Sequence, residues 1–147
     1  MPEALFWLLV ARAALLLVPF PRIGRYLGKL QPPSPSSSVI DEETAMVVQR
    51  VGATVDTVAD HSPLELVCLP RALAGWQMLH RRGIPSRLHF GAVRERDVKK
   101  GLETHAWLTS AGLEVTGYPV AHGCVELGYF SRTGETTSAD RLPAASR

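Results

Sequence analysis

The sequence has few cysteines and no concentration of charge. Its 147 residues include only Cys68 and Cys124, which are too few for a disulfide framework and too far apart for a closed four-cysteine zinc site. Sixteen basic and 14 acidic residues leave a net charge of +2, without the basic stripe that nucleic acid requires. We therefore expect a cytoplasmic protein with reduced thiols, no metal and no nucleic-acid partner.

The N-terminal segment is apolar but fits neither a signal peptide nor a membrane span. Residues 4–18 read ALFWLLVARAALLLV. Glu3 lies where a signal peptide carries positive charge, Arg12 interrupts the apolar run, and Pro19 ends it short of the roughly 20 residues that a bilayer core requires. Apolar residues surround most of the predicted helix, so we expect a helix or helical hairpin packed on the body. Contact with a membrane surface is the less favoured alternative.

Composition divides the chain into three parts. Residues 31–38 (QPPSPSSS) contain three prolines and four serines without an apolar anchor, which indicates a linker or a long exposed loop. Residues 1–30 then form an apolar helical segment, and residues 39–147 form the main domain. At the start of that domain, valines at steps of three and four over 47–58 predict a helix with Asp41 as its N-cap.

A second helix of the main domain is predicted to begin at Cys68. Apolar residues keep helical spacing over 69–79, and Pro70 is tolerated only in a first turn, where its missing N–H sacrifices no hydrogen bond. Unpaired backbone N–H groups and the positive end of the helix dipole favour a thiolate at this position. Cys68 is therefore either a nucleophile or a small buried hydrophobic residue.

The second half of the chain predicts a small antiparallel sheet. Alternating residues indicate strands over 86–93, 104–110 and 113–120, with a tight turn at 111–112 and a charged loop at 94–101. His105 lies on the second of these strands. The elements of the main domain are therefore two helices followed by the sheet.

The register of the predicted hairpin decides which side chains surround His105. A two-residue turn pairs Thr109 with Glu114. A regular ladder then pairs Trp107 with Thr116. On this register Glu114 and Thr116 share the face of His105.

The order of Cys68 and His105 is that of papain-like and transglutaminase-like cysteine enzymes. In both groups a cysteine begins a helix and a histidine follows on a strand. The histidine takes the thiol proton, the thiolate attacks a carbonyl, and backbone N–H groups at the helix start stabilise the oxyanion.

Five short motifs follow one another along the chain: CLPRALA at 68–74, RRGIP at 81–85, LHFGA at 88–92, HAWL at 105–108 and VTG at 115–117. Their order and spacing resemble the protease component of lasso-peptide biosynthesis, a transglutaminase-like cysteine peptidase family. The similarity covers most of the chain. It implies an α+β fold in which N-terminal helices precede a transglutaminase/papain-like core, with the cysteine-headed helix packed on a small antiparallel sheet.

The resemblance also implies a function. It implies a cysteine peptidase, without a cofactor, that removes the leader from a ribosomally made precursor peptide, with Cys68 as nucleophile and His105 as general base. In split systems of this kind a separate leader-recognition protein binds the leader and an ATP-dependent lasso cyclase closes the ring. Because no segment is left over for a recognition domain, we expect the split form.

Three other classes remain open for the same residues. A transglutaminase-like acyl transferase would use the same thiolate and histidine but pass the acyl group to an amine. His105, His122 and Cys124 are a conceivable metal site, although no zinc-type spacing supports them. A non-catalytic scaffold protein of a peptide-modifying complex would leave Cys68 with an unreactive thiol.

One position departs from the family pattern. The family's Cys-His-Asp triad has its acid on the strand after the histidine, where this sequence has Thr116, Gly117 and Tyr118 and no aspartate. Candidates to orient His105 are a backbone carbonyl or the side chains of Glu114, Thr116 and Asp60; otherwise the site is a dyad. Glu114→Gln and Thr116→Val should have reduced but measurable cleavage activity. Gly117→Asp should be tolerated or raise activity.

The remaining polar residues near the motifs are interpreted as structural or exposed. His61, His80 and His89 belong to this group, and Cys124 is expected to be dispensable. Arg71 lies one helical turn past the predicted nucleophile and is interpreted as solvated, with contact to an anionic group as the alternative.

Overall fold

Helices and antiparallel strands follow one another in the computed structural model, which describes residues 2–36, 38–64, 66–94, 102–120 and 122–131. Within these ranges the helices are α1 (Pro2–Leu17), α2 (Phe20–Leu27), α3 (Glu42–Asp60) and α4 (Cys68–Arg81). The strands are β1 (Leu30–Gln31), β2 (Arg87–Arg94), β3 (Leu102–Ser110), β4 (Leu113–Thr116) and β5 (Val125–Phe130). Residues 95–101 of the predicted charged loop and 132–147 of the predicted main domain lie outside the described residues. The mixed helical and antiparallel character of the fold is confirmed.

The N-terminal segment forms two helices separated at Pro19, which lies between them and is the N-cap of α2. Helix α1 packs against α3 and α4. Its buried residues are Ala4, Leu8 and Ala11, whereas Leu17 on the opposite face is 81% exposed. The expected packing of an N-terminal helix on the body is therefore observed, although only one face of α1 meets the body. None of the described helices is both long and apolar enough to cross a bilayer.

Helix α3 begins where the sequence predicts it. The Thr44 backbone N–H donates to Asp41 Oδ1 at 2.8 Å, and this bond lowers the pKa of the Asp41 carboxyl. The buried face of the helix carries valines at 48, 51 and 55. At Gly52 the helix passes so close to the Val115 carbonyl that a Cβ would overlap it. Helix α3 is thereby held against β4.

The sheet has the order β1-β5-β2-β3-β4, and each neighbouring pair is antiparallel. The sequence did not predict β1 or β5, which lie on one side of β2. Helix α4 packs on β3, with Gly75 close enough to Leu108 that a Cβ would lie 2.9 Å from Leu108 Cδ2. One hydrophobic core joins all four helices to the sheet.

The hairpin between β3 and β4 starts in the predicted register and then departs from it. Thr109 pairs with Glu114 as predicted, but a bulge follows, and Leu108 rather than Trp107 pairs with Thr116. The extra residue turns Thr116 onto the face that packs on α4, where it is 1% exposed. The prediction that Thr116 shares the face of His105 is therefore wrong. Strand β4 also ends at Thr116, before the predicted end at 120.

The segment predicted as a linker contacts the sheet. Gln31 lies in β1 opposite Tyr129 of β5. Farther along, the Ser34 carbonyl accepts from Arg87 Nη1 at 2.8 Å, and the Ser34 hydroxyl lies 3.1 Å from the Tyr129 hydroxyl. These bonds hold at least part of the Pro/Ser segment on β2 and β5, so the exposed character expected of residues 31–38 is not observed at Ser34.

Candidate active site

Cys68 and His105 line the same open cavity of about 470 Å³. Its walls come from the end of α3, the start of α4, strand β3 and the segment after β4. Gly117 and Tyr118 complete the wall beside the histidine. Two residues that are 37 positions apart in the sequence thus border one space that a substrate can enter.

Cys68 is the first residue of α4, and its side chain is partly exposed. The preceding residue, Val67, is extended and caps the helix without a side-chain hydrogen bond. Since valine has no oxygen to accept from the first turn and Pro70 has no N–H to donate, the N–H groups of Cys68 and Leu69 are the donors at this end. They supply partial positive charge beside the thiol.

His105 is oriented by the backbone. Its Nε2 lies 2.8 Å from the Gly117 carbonyl oxygen. Because a carbonyl only accepts, Nε2 must carry the proton, and the neutral ring then has its lone pair on Nδ1. The carbonyl alternative from the sequence is the one observed, and the carbonyl belongs to Gly117, one of the three residues at the place where the family's acid was expected.

Gly117 must be glycine at this place. Its φ is +86°, and a Cβ would lie 2.6 Å from the Ala106 carbonyl oxygen and 2.8 Å from Trp107 Cα. Any side chain here meets backbone that cannot move aside. The expectation that Gly117→Asp is tolerated or beneficial is therefore wrong, since the close approach that delivers the carbonyl to His105 leaves no room for a carboxylate.

The three side chains considered as alternatives do other things. Within the described residues, no hydrogen bond joins His105 to Glu114, Thr116 or Asp60. Glu114 is exposed, and the Thr116 hydroxyl is buried and has no hydrogen-bond partner among the described residues. Asp60 lines the cavity but binds Arg71, with 2.7 Å between Oδ1 and Nη2.

Arg71 was expected to be solvated, but its guanidinium is bonded to the Leu66 carbonyl and to two carboxylates. Its Nε donates to the Leu66 carbonyl at 2.7 Å, and Nη1 lies 3.5 Å from Asp56 Oδ1 in addition to the bond with Asp60. Burial raises the pKa of the Asp56 carboxyl, and Arg71 opposes that rise. The guanidinium ties the end of α3 to the residues just before Cys68, so it helps to position the start of α4.

Trp107 stacks on two histidines of the sheet. Its ring centroid lies 5.9 Å from that of His105 and 5.3 Å from that of His89. His89 is buried, with Nδ1 bonded to Glu126 and Nε2 2.7 Å from the Thr109 hydroxyl. The alternation of 105, 107 and 109 on one strand predicts that Trp107 shares the face of His105, as observed, whereas Glu126 was not identified from the sequence.

Within the described residues, Cys124 is not part of the wall of the cavity that Cys68 and His105 line. Its Sγ packs against Gly91, where a Cβ would approach it to 2.6 Å. Burial and the nearby charge of Glu126 raise the pKa of the Cys124 thiol, which keeps it protonated at neutral pH. His122 is exposed, and no group of three His, Cys, Asp or Glu residues in the described ranges is placed to hold a metal ion. The metal site considered from the sequence is therefore not formed by those residues.

Comparison with known proteins gives one match. Residues 7–124 match the family model described as the transglutaminase-like superfamily. No curated protein and no solved structure matches the chain. The match begins inside α1, runs through the Pro/Ser segment and includes both Cys68 and His105. Because it spans most of the sequence, the chain belongs to the transglutaminase-like superfamily, whose fold is of the cysteine peptidase and acyltransferase type.

Proposed function

We propose that the chain is a cysteine peptidase that removes the leader from a ribosomally made lasso-peptide precursor. One observation carries the chemical part of this proposal: a cysteine at a helix start and a histidine with a defined tautomer line one cavity. Cys68 is the nucleophile and His105 the general base. The lasso-precursor substrate rests on the order and spacing of the five sequence motifs.

The catalytic cycle follows from these groups. His105 Nδ1 takes the Cys68 proton, and the thiolate attacks the scissile carbonyl carbon. The oxyanion of the tetrahedral intermediate accepts from N–H groups at the start of α4. The protonated imidazole then donates to the leaving amine, which leaves a thioester on Cys68. Water, activated by His105, hydrolyses the thioester and restores the thiol.

The Gly117 carbonyl takes the place of the third triad member. It holds the imidazole through Nε2 while Nδ1 exchanges its proton with the thiol and the amine. A carbonyl carries no full charge, so it stabilises the imidazolium less than a carboxylate does. We therefore assign the site to a dyad with a backbone orienting group.

The first experiment compares the two cysteines. Cys68→Ala should abolish leader cleavage, with a loss of at least about 10³-fold in single-turnover rate, because no other group forms the thioester. Cys124→Ala is the matched control and should keep most of the activity. Mass spectrometry of the precursor gives both rates. Equal cleavage by Cys68→Ala and the unchanged protein would refute the mechanism.

The second experiment concerns the partners that the resemblance implies. A separate recognition protein that binds the leader raises the local concentration of the scissile bond at Cys68, so adding it should accelerate cleavage by about 10-fold to 100-fold. A lasso cyclase would then use the released core peptide. Full-rate cleavage by the purified chain, unchanged by the recognition protein, would contradict this part of the proposal.

Acyl transfer is the second candidate function, and membership of the transglutaminase-like superfamily is the observation that favours it. The same thioester on Cys68 would pass to an amine instead of water. Cleavage in the presence of an added primary amine separates the two reactions. A free carboxylate on the product supports the peptidase, whereas a product carrying the amine supports the transferase. Failure of Cys68 to form a thioester with any acyl substrate would support the scaffold alternative.

A further inference from the structure

The outward face of α1 is apolar along its whole length. Its exposed residues share one side of the helix at steps of three and four, and none of them is charged. They are Pro2, Leu5, Phe6, Leu9, Val10, Ala13, Leu16 and Leu17. Leu16 and Leu17 are 74% and 81% exposed. An apolar surface of this extent marks a contact with another molecule or with a membrane.

The charged residues that follow along α1 and α2 are basic, and Glu3, the acidic residue of α1, is paired with Arg82. Residues 4–40 contain four basic residues, Arg12, Arg22, Arg25 and Lys29, and no acidic residue. The last three lie on or directly after α2 and are exposed. Phe20, at the start of α2, is also partly exposed, although its ring packs edge-on against Phe90 of β2. The two helices therefore present aliphatic side chains next to a cluster of cations.

An apolar cleft beside α1 and α2 is suited to bind a hydrocarbon chain. It has a volume of about 300 Å³ and lies between α1, α2 and α4. Its lining is almost entirely apolar and includes Val10, which belongs to the outward face of α1. Among the described residues that line it, Arg22 is the one with a charge. An acyl chain in the cleft with its phosphate at Arg22 satisfies both features.

We propose that α1 and α2 bind the surface of an anionic membrane. The buried face of α1 is packed on α3 and α4, so the helix lies flat and its outward leucines enter the region between headgroups and acyl chains. Arg25 and Lys29 contact the lipid phosphates, and Arg22 does so at the cleft. A lipid surface fits better than a protein, because the outward face of α1 offers no hydrogen-bonding side chain for a specific partner to recognise. The proposal is independent of the peptidase function.

The test measures sedimentation of the full chain with two kinds of vesicle. Vesicles of phosphatidylglycerol and phosphatidylcholine should bind about tenfold more protein than vesicles of phosphatidylcholine alone, and the difference should shrink in high salt. Leu16→Gln/Leu17→Gln should lower binding to the anionic vesicles about tenfold. The matched control is Val39→Gln/Met46→Gln, which removes two exposed apolar side chains outside α1 and α2 and should bind normally.

The charge contribution has its own variant. Arg25→Gln/Lys29→Gln keeps the leucines and should lose most of the preference for anionic vesicles. The proposal is overturned if the unchanged protein binds neither kind of vesicle, or if Leu16→Gln/Leu17→Gln binds as well as the control. It is also overturned if the outward face of α1 binds another protein instead. In that case the chain would form a dimer, or a complex with a leader-recognition protein, Leu16→Gln/Leu17→Gln would dissociate it, and the vesicles would bind no protein.

Discussion

Two histidines on neighbouring strands stack on the same tryptophan but have different surroundings. His89 of β2 is buried, and both of its ring nitrogens are bonded to side chains, Glu126 and Thr109. His105 of β3 faces the cavity. Among the described residues it forms one side-chain hydrogen bond, to the Gly117 carbonyl. The difference shows how one residue type takes two roles in one sheet. A histidine with both nitrogens bonded holds the sheet together, and one with an open nitrogen can move a proton.

The sharpest test of this comparison replaces each histidine by alanine. His105→Ala removes the base and should lower single-turnover leader cleavage at least about 10³-fold while the fold persists. His89→Ala should keep a measurable rate but destabilise the protein by about 2–4 kcal/mol, because Glu126 and Thr109 lose their buried partner. Cleavage rates and urea unfolding curves give both quantities. The comparison fails if His89→Ala is as inactive as His105→Ala at a temperature where both are folded.

The second prediction concerns the carbonyl that holds His105. Gly117→Ala brings a Cβ against the Ala106 carbonyl and Trp107, and it forces alanine into a positive φ. We expect a loss of about 3 kcal/mol or more in the free energy of unfolding, together with a large loss of cleavage.

Gly112→Ala is the matched control for that variant, since its φ is +81° and no atom of the described ranges lies within 4 Å of the added Cβ. It should lose only about 1 kcal/mol and keep its activity. Equal stability of the two variants in urea unfolding would show that the close approach at Gly117 does not matter.

Local signals explain which parts of this molecule were predictable. Asp41 caps α3, Cys68 begins α4, and the turn at 111–112 joins β3 to β4, because capping oxygens, a first-turn proline and a tight turn act within a few residues. The same turn fixed the pairing of Thr109. The placement of His105 on a strand needed only the alternation of its neighbours.

The parts that were missed depend on distant contacts. The bulge between the Leu108–Thr116 and Thr109–Glu114 pairs turns Thr116 toward Gly75 of α4. No pattern within residues 104–120 predicts that contact. Strand β5 is completed by pairing with β1 and β2. The orienting group of His105 is a backbone carbonyl. Because every residue has one, the residue type does not predict which carbonyl orients the histidine. The exposed face of α1 could not be told from a buried one, because apolar residues surround most of the helix.

The third prediction uses Tyr118, which lies in the wall of the cavity beside His105. Burial, with smaller contributions from Glu114 and Glu126, raises the pKa of the Tyr118 phenol to about 12. Above pH 10 the unfolded chain loses this proton while the folded chain keeps it, so stability should fall between about pH 10 and pH 12. Tyr118→Phe should flatten that part of the curve of unfolding free energy against pH. An unchanged slope would show that the phenol is not buried as described.

Glu114→Gln tests whether the Glu114 carboxylate acts on Tyr118 or on His105. The carboxylate contributes to the raised pKa of Tyr118 but makes no hydrogen bond to His105 within the described residues. The variant should lower the pKa of Tyr118, measured by tyrosinate absorbance, and leave leader cleavage within about twofold of normal. A strong loss of cleavage would return Glu114 to the list of orienting groups.

The smallest expected effect separates two threonines of the hairpin. The Thr116 hydroxyl is buried, and no described residue forms a hydrogen bond with it. Thr116→Val, which keeps the shape, should therefore leave cleavage unchanged and stabilise the protein by about 0.5–1 kcal/mol. Thr109→Val is the matched control. It removes the hydroxyl bonded to His89 Nε2 and should destabilise by about 1–2 kcal/mol, because that nitrogen is then buried without a partner. Urea unfolding of both variants decides the matter. If Thr116→Val instead slows cleavage while Thr109→Val changes nothing, then Thr116 acts on His105, and the bulge between them does not separate their faces.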